Sequence, residues 1–225
     1  MLSGVTKIRT RSLLLLLESA SISASESKQV HDRIVNGILY RFISGHEKKN
    51  RIPRFLLNDV VRFWRTMAVD YANKYRSREG AKWALRNIKL RMSRKLLFIS
   101  GLFMCISWAL NKIEADDHRF MPQDLVVYLR NWTQRPPLES LATVVERYAP
   151  SLIGEIFDNY DSFLALLSDE KKRTLLENLE PDQAYKDDLF LEVRQVAAKF
   201  DEALIKLLFG SNDEITQLAQ KYGVF

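Results

Sequence analysis

The chain contains few of the residues from which covalent or metal sites are usually built. Its 225 residues include one cysteine, Cys105, and three histidines that stand singly in unrelated segments. A disulfide within the chain is therefore excluded, and a single cysteine fits a reducing compartment. No His-Glu-x-x-His motif and no paired Cys-His spacing is present, so the sequence offers no zinc site. We predict that this chain holds no metal and no cofactor of its own.

Glycine-rich phosphate loops and paired catalytic carboxylates are also missing. Neither the P-loop pattern nor the dinucleotide-binding pattern occurs, and we interpret Gly210 as a helix stop followed by Ser211 as the next cap. The adjacent acids Asp116-Asp117 and Asp187-Asp188 point about 100° apart on a helix, so they form no two-carboxylate metal clamp. The sequence therefore predicts no self-sufficient catalytic site.

No apolar run is long enough to cross a membrane. The longest, Leu96–Leu110, has 15 residues and is interrupted by two serines and a glycine, whereas a membrane span needs about 20. The leucine run Leu13–Leu17 is followed by Glu18 and is too short for a secretory signal. We predict a soluble, cytoplasmic protein in which Leu96–Leu110 is a buried helix and Cys105 a core thiol.

The remaining composition predicts a packed all-α protein. Hydrophobic residues make up 47% of the chain and aromatic residues 11%, which is enough for a core. Apolar residues recur at helical spacing, and no segment alternates as a strand does. We predict a multi-helix bundle whose two long central helices, at about 54–76 and 81–111, pack against each other. Further helices are expected at about 5–19, 26–44, 122–132, 138–148, 150–168, 170–179, 183–209 and 212–222.

Charge is distributed unevenly along the chain. Residues 1–100 hold 21 Lys and Arg against 7 Asp and Glu, while the other 125 hold 13 against 21. The charge changes sign near Pro136-Pro137, which favours a boundary between a basic helical domain, 1–135, and a smaller acidic helical unit, 136–225. The basic part suggests an anionic partner or docking between the two parts, and a solvated basic face explains the charge equally well.

Two of the predicted helices carry polar side chains at helical spacing among apolar ones. On the first, Asp59, Arg62 and Arg65 are spaced by three residues, and Asn58 lies beside them. On the second, Lys82, Arg86 and Lys89 follow at i, i+4 and i+7. We call the whole set the polar seam: Asn58, Asp59, Arg62, Arg65, Lys82, Arg86 and Lys89.

The polar seam is the candidate substrate-binding site. Charges among apolar residues are costly unless they are paired or meet a ligand, and arginine forks and lysines suit phosphate oxygens. We expect Asp59 to hydrogen-bond one arginine, leaving surplus positive charge open to an anion. The alternative is a structural salt-bridge network in which Asp59 pairs Arg62 or Arg86.

The stretches 54–66 and 82–95 resemble the helical region of bacterial nucleotidyltransferases of the DNA polymerase β superfamily, particularly uridylyltransferase-like ones. The opening Thr10–Ser19 looks like the segment that follows their catalytic sheet, so the resemblance covers about residues 8–112. It implies a helical nucleotide- or substrate-binding accessory region with a nucleotide ligand. Family members also have a catalytic α/β domain, with a Gly-Ser turn and an Asp-x-Asp strand that binds magnesium. This chain matches neither motif, so the resemblance implies a truncated or split region that is not catalytic alone, with magnesium only in a separate catalytic domain or subunit.

Two other interpretations stay open at this point. The chain is alternatively a helical protein-interaction module, for example one partner of a toxin–antitoxin or phage-defence pair, with a purely structural polar seam. A nucleic-acid binder using the basic face is a weaker interpretation, since no recognised motif for it is present. If a catalytic domain is missing, we expect Leu13, Leu16 or Leu17 to be exposed, unless the C-terminal helices or a second copy in a homodimer cover them.

Overall fold

A computed structural model of the chain describes residues 4–18, 25–43, 52–77, 82–115 and 122–223. Every regular element within these ranges is helical and none is a strand, which confirms the predicted all-α class. The loops predicted around 45–51, 80 and 115–120 lie wholly or largely outside the described residues. The α-helices are α1 (Gly4–Leu17), α2 (Ser25–Ile43), α3 (Arg54–Ser77), α4 (Trp83–Lys89), α5 (Lys95–Ala115), α6 (Pro122–Thr133), α7 (Pro137–Tyr148), α8 (Ile153–Ser168), α9 (Glu170–Asn178), α10 (Pro181–Ala184), α11 (Asp188–Phe209) and α12 (Asp213–Tyr222).

Side-chain caps correct two of the predicted boundaries. The helix predicted over 183–209 is divided into α10 and α11, because Asp187 accepts a hydrogen bond from the Phe190 amide at 2.8 Å and starts α11. Asn212, rather than Ser211, caps α12: its Oδ1 accepts from the amides of residues 214 and 215. The Ser211 hydroxyl instead donates to the carbonyl of Lys206 at the end of α11.

A π-helical turn, Leu90–Arg94, joins α4 to α5 without a loop. Such turns have i→i+5 hydrogen bonds and occur frequently at functional sites. Ser93 in this turn hydrogen-bonds Tyr160 of α8, and Lys95 directly after it pairs with Asp201 of α11. Contacts with two other helices therefore hold the turn in place. It begins directly after Lys89, the last basic residue of the predicted stripe.

Two compact units make up the fold, and they interleave along the chain. The first comprises residues 1–63, 97–144 and 217–225, and the second comprises 64–96 and 145–216. The predicted boundary near residue 135 falls inside the first unit, where Pro137 only begins α7. A proline pair interrupts secondary structure locally, whereas a compact unit is defined by contacts between distant segments. The compact units therefore do not follow the predicted division into 1–135 and 136–225.

In the first unit α2 packs on α6, and α1 packs on both. Leu13, Leu16 and Leu17 are buried there, while Leu15 is on the exposed side. The expectation that the first three are exposed is therefore wrong, because the protein's own helices cover the apolar face of α1. The burial of α1 gives no support to a missing domain on this face.

The run 97–110 forms the most continuously buried segment of the first unit, as its apolar composition predicts. Every residue from 101 to 110 is buried. Burial raises the pKa of the Cys105 thiol above its ordinary range, so this residue is a core thiol and not a nucleophile. One helical stretch of the described chain, Trp83–Asn111, is long and apolar enough to span a membrane, and 78% of its most apolar window is buried within the protein. Such burial is consistent with the core helix of a soluble protein.

The second unit is organised by α11, which packs along α8 and also contacts α4 and α9. The apolar residues of α11 recur every three or four positions, so they form one face of the helix. Tyr160 of α8 meets this face, with its ring centroid 5.6 Å from that of Phe200. The buried residues of α11 are Phe190, Val193, Ala197, Phe200, Ala203, Leu204 and Leu207.

Two helical glycines of the first unit allow a matched test of packing. A Cβ added at Gly101 would lie 2.6 Å from Leu17 Cδ2 and 3.1 and 3.3 Å from the Val60 methyl groups, whereas Gly37 has nothing within 4 Å. Leu17 can turn away, but Val60 is β-branched and has one strongly preferred helical rotamer. The α3–α5 approach at Val60 and Gly101 is thus established, while packing of these helices along their lengths stays a prediction.

We expect Gly37→Ala to stabilise the protein by about 0.5–1 kcal/mol, because alanine loses less backbone entropy in a helix. Gly101→Ala gains the same entropic stabilisation, but the added methyl group crowds Val60 at a cost of about 1–3 kcal/mol. We therefore expect this variant to be less stable than the wild type. The measurement is the free energy of unfolding from urea denaturation of the two variants and the wild type. Equal stabilisation by both substitutions would contradict the close packing at Gly101.

Candidate functional site

The structure divides the polar seam between the two compact units. The residues in the first unit are Asn58, Asp59 and Arg62. The residues in the second unit are Arg65, Lys82, Arg86 and Lys89.

The residues of the first unit form a local pair. Arg62 Nη1 lies 3.7 Å from Asp59 Oδ1, three residues earlier on α3, with side-chain exposures of 61% and 13%. At this distance the contact is an ion pair and not the hydrogen bond that we expected for Asp59. The Asp59–Arg62 pairing is the one foreseen in the structural alternative, and Asn58 beside it is exposed. Because the Arg62 side chain is largely in solvent, a pair of this kind contributes about 0–1 kcal/mol to stability.

In the second unit the basic stripe of α4 meets a carboxylate from α9. Lys82 Nζ donates to Glu177 Oε2 at 2.7 Å. This hydrogen bond lowers the pKa of Glu177, the positive charges of Lys82, Arg173 and Lys89 lower it further, and partial burial opposes them. One carboxylate therefore lies among three cations, and positive charge is in excess around it.

The backbone at the start of α4 is held in an unusual conformation. Lys82 has φ 57° and ψ 26°, the left-handed region, and is the one non-glycine residue with positive φ among those described. This conformation costs a non-glycine residue about 1–2 kcal/mol, so the surrounding structure must hold it in place. The hydrogen bond to Glu177 is such a contact, and it fixes the lysine side chain beside α9.

Arg86 is the middle residue of this stripe, one turn after Lys82 and three residues before Lys89. It is half-buried. Within the described part of the chain its guanidinium makes neither a hydrogen bond nor an ion pair. A half-buried arginine with five donors and no acceptor is suited to an anionic ligand. We call Lys82, Arg86 and Lys89, together with Arg173, the basic cluster.

A polar network lies on the neighbouring stripe of α4. Asn87 Nδ2 donates to Tyr71 Oη at 2.9 Å, and Arg91 Nε donates to Asn87 Oδ1 at 3.1 Å. Burial raises the pKa of Tyr71, although the hydrogen bond from Asn87 opposes the shift. Tyr71 is therefore a neutral phenol that accepts hydrogen bonds at neutral pH, and it joins α3 to α4 within this unit.

The periodicity of the sequence predicted one stripe for Lys82, Arg86 and Lys89, but it did not reveal their partners. In the structure Arg86 and Lys89 lie on α4, and Lys82 directly precedes it. Glu177 is 95 residues from Lys82, and Arg173 precedes it by one turn of α9. The run Lys171-Lys172-Arg173 reads as a solvated turn in sequence, and Lys171 and Lys172 are indeed exposed. Arg173 differs because its positive charge lowers the pKa of the half-buried Glu177, four residues later on α9.

No group of three or more His, Cys, Asp or Glu side chains that could hold a metal ion occurs among the described residues. Comparisons with protein-family models, curated proteins and solved structures gave no match to the chain.

The lowered pKa of Glu177 yields a prediction on its cause. We expect Lys82→Met to raise that pKa towards the ordinary glutamate range, because the main hydrogen bond is removed. The stabilisation from the Lys82–Glu177 pair should be fully present above the unfolded-state pKa of glutamate and lost as the pH falls through the folded-state value. Carbon-detected NMR titration of the glutamate carboxyl groups measures this shift.

Lys171→Met is the matched control, since it removes an exposed cation of α9 that does not contribute to the Glu177 shift. We expect this variant to leave the Glu177 titration unchanged. An equal shift in both variants would mean that the overall charge of α9, and not the pair with Lys82, sets the pKa.

Proposed function

We propose that the chain is a helical nucleotide- or substrate-binding module that serves a nucleotidyltransferase catalytic domain and is not catalytic alone. The basic cluster of the second unit is the proposed binding site for the ligand's phosphates. Arg86 is its central residue, with Lys82 and Lys89 on either side along α4 and Arg173 across from them on α9.

The single observation that carries the proposal is the charge imbalance around Glu177. Lys82, Lys89 and Arg173 all act on this one carboxylate, and Arg86 between them adds a further positive charge without an acceptor in the described residues. Positive charge that the protein's own acids do not balance favours an anion, and phosphate provides several acceptor oxygens at once. Arginine and lysine on neighbouring helices are typical of sites that hold phosphate groups.

One sequence feature and one structural feature support the nucleotidyltransferase part of the proposal. Three residues of the basic cluster, Lys82, Arg86 and Lys89, lie within the stretch 82–95, one of the two that resemble helical regions of these enzymes. The site offers several cations for binding phosphate, which is the task of the accessory region proposed here. Magnesium would then be supplied with the catalytic domain.

A protein-interaction module is the second candidate function, and the surface of α2 favours it. Val30 and Ile34 are exposed at i and i+4, and Gly37 follows on the same face with open space around it. An exposed apolar strip of this kind can receive a partner helix. This function would become the better explanation if the basic cluster bound no nucleotide.

Calorimetric titration with nucleoside triphosphates tests the proposed function. We expect the wild type to bind and Arg86→Ala to weaken binding by about 1.5–3 kcal/mol, the value of a hydrogen bond to a charged group. Glu177→Gln should strengthen binding, because it removes the carboxylate that competes with phosphate for the same cations. Thermal melting of each variant shows whether it remains folded.

Arg62→Ala and Lys171→Ala complete the design. Lys171→Ala removes one positive charge outside the basic cluster and should leave the affinity nearly unchanged. Arg62→Ala tests the first-unit part of the polar seam, and a loss of affinity would extend the binding site to it. If Arg86→Ala stays folded and binds as the wild type does, the basic cluster is structural and the proposal is wrong.

A further inference from the structure

An aromatic cluster adjoins the basic cluster on the second unit. The Trp83 ring centroid lies 5.9 Å from that of Tyr185 and 5.5 Å from that of Phe190. Phe190 is buried and anchors the cluster in the core, whereas Tyr185 is 55% exposed. The cluster therefore has one end fixed by packing and one aromatic ring available at the surface.

The geometry of α4 places the two clusters side by side. Within α4, Asn87 follows Arg86 and Trp83 lies one turn before Asn87, so the stripe of Trp83 and Asn87 is rotated about 100° from that of Arg86 and Lys89. Tyr185 packs against Trp83 beside this second stripe. A nucleotide has a matching form, because its sugar separates the planar base from the phosphates.

Charge and hydrogen bonding hold the aromatic cluster in this position. The Arg194 guanidinium lies over the Tyr185 ring, 5.0 Å from its centroid. On the other side the Trp83 indole hydrogen-bonds Tyr71, which also accepts from Asn87. Arginine planes and aromatic rings are the groups on which proteins stack unpaired bases. Both kinds of group are present here: the Arg194 guanidinium lies over Tyr185, and Tyr185 contacts Trp83, which directly follows Lys82.

We propose that Tyr185, supported by Trp83 and Arg194, is a stacking subsite for the base of the ligand, so the second unit selects nucleotides over phosphate compounds that lack a base. This inference rests on the proposed function, because it presupposes that the basic cluster holds the phosphates. It adds to the proposed function that stacking on the Tyr185 ring, as well as charge, contributes to the affinity for the ligand.

The test compares ligands with and without a base. ATP, GTP, CTP, UTP and inorganic tripolyphosphate are titrated calorimetrically into the full chain and into Tyr185→Ala, Tyr40→Ala and Arg86→Ala. Tyr40 is the matched control because it is 54% exposed, nearly as Tyr185 is, and lies on α2 of the other unit. Substitution of an exposed tyrosine leaves the core intact, and thermal melting verifies this for each variant.

We expect at least one nucleoside triphosphate to bind more tightly than tripolyphosphate in the wild type. Tyr185→Ala should weaken that nucleotide roughly five- to hundredfold, the usual effect of losing one base–aromatic stack, and leave tripolyphosphate unchanged. Arg86→Ala should weaken both ligands, and Tyr40→Ala neither. Tryptophan fluorescence should change on nucleotide binding, and Trp83→Phe should remove this change.

The possible failures separate the two proposals. If tripolyphosphate binds as tightly as every nucleotide, or if Tyr185→Ala leaves the preference intact, the stacking subsite is overturned while the phosphate site stands. If Tyr185→Ala weakens tripolyphosphate as much as nucleotide, Tyr185 supports the basic cluster and is no base subsite. If no ligand binds to the wild type, the proposed function fails and the subsite fails with it.

Discussion

The rotation of α4 about its own axis is the constraint on which the candidate site depends. Ala84, Leu85 and Ile88 are buried and fix which side of this helix faces the core. Since each residue advances about 100°, burial of that side determines where every other side chain of α4 points. Arg86 and Lys89 then form one stripe and Trp83 and Asn87 the next. Hydrophobic packing, which itself has no chemical specificity, thus positions the charges and rings.

Electrostatics at this site centres on Glu177, a carboxylate on which three cations act. Glu177 accepts a hydrogen bond from Lys82, and the charges of Lys89 and Arg173 also act on it, so one carboxylate interacts with several cations. In the absence of a ligand this carboxylate reduces the repulsion among the cations that surround it. A phosphate group would compete with it for Lys82, and the balance would depend on salt, because charges near the surface are screened beyond about 8–10 Å at physiological ionic strength.

Sequence periodicity predicted the parts of this structure that depend on one segment at a time. The helical class, most helix limits and the placement of Arg86 and Lys89 three residues apart on α4 all follow from spacing along a helix. Errors arose where a distant segment decides the outcome. A leucine-rich helix such as α1 has the same sequence pattern whether its own protein or another covers it, so the exposure of Leu13 could not be predicted.

The same reason explains why the partners of the basic stripe escaped prediction. Glu177 and Tyr185 reach α4 from α9 and from the end of α10, close to a hundred residues along the chain. Neither has a local pattern that distinguishes it from an ordinary surface residue. Likewise Ser211 and Asn212 are both good capping residues, and only the final turn geometry shows that Asn212 is used.

The candidate site carries side chains that suit an anionic ligand with a planar group. It provides cations for oxygen atoms, an exposed ring and a neutral phenol, Tyr71, but within the described residues no group of acids or histidines that could hold a metal. Phosphoryl transfer depends mainly on positioning and on neutralising charge, and a metal ion supplies much of that charge. A helical unit that binds the phosphates and the base would contribute the positioning, while a separate catalytic domain would contribute the metal. The left-handed backbone of Lys82 fits this division of roles, because holding a binding residue in one place lowers the entropy lost when the ligand arrives.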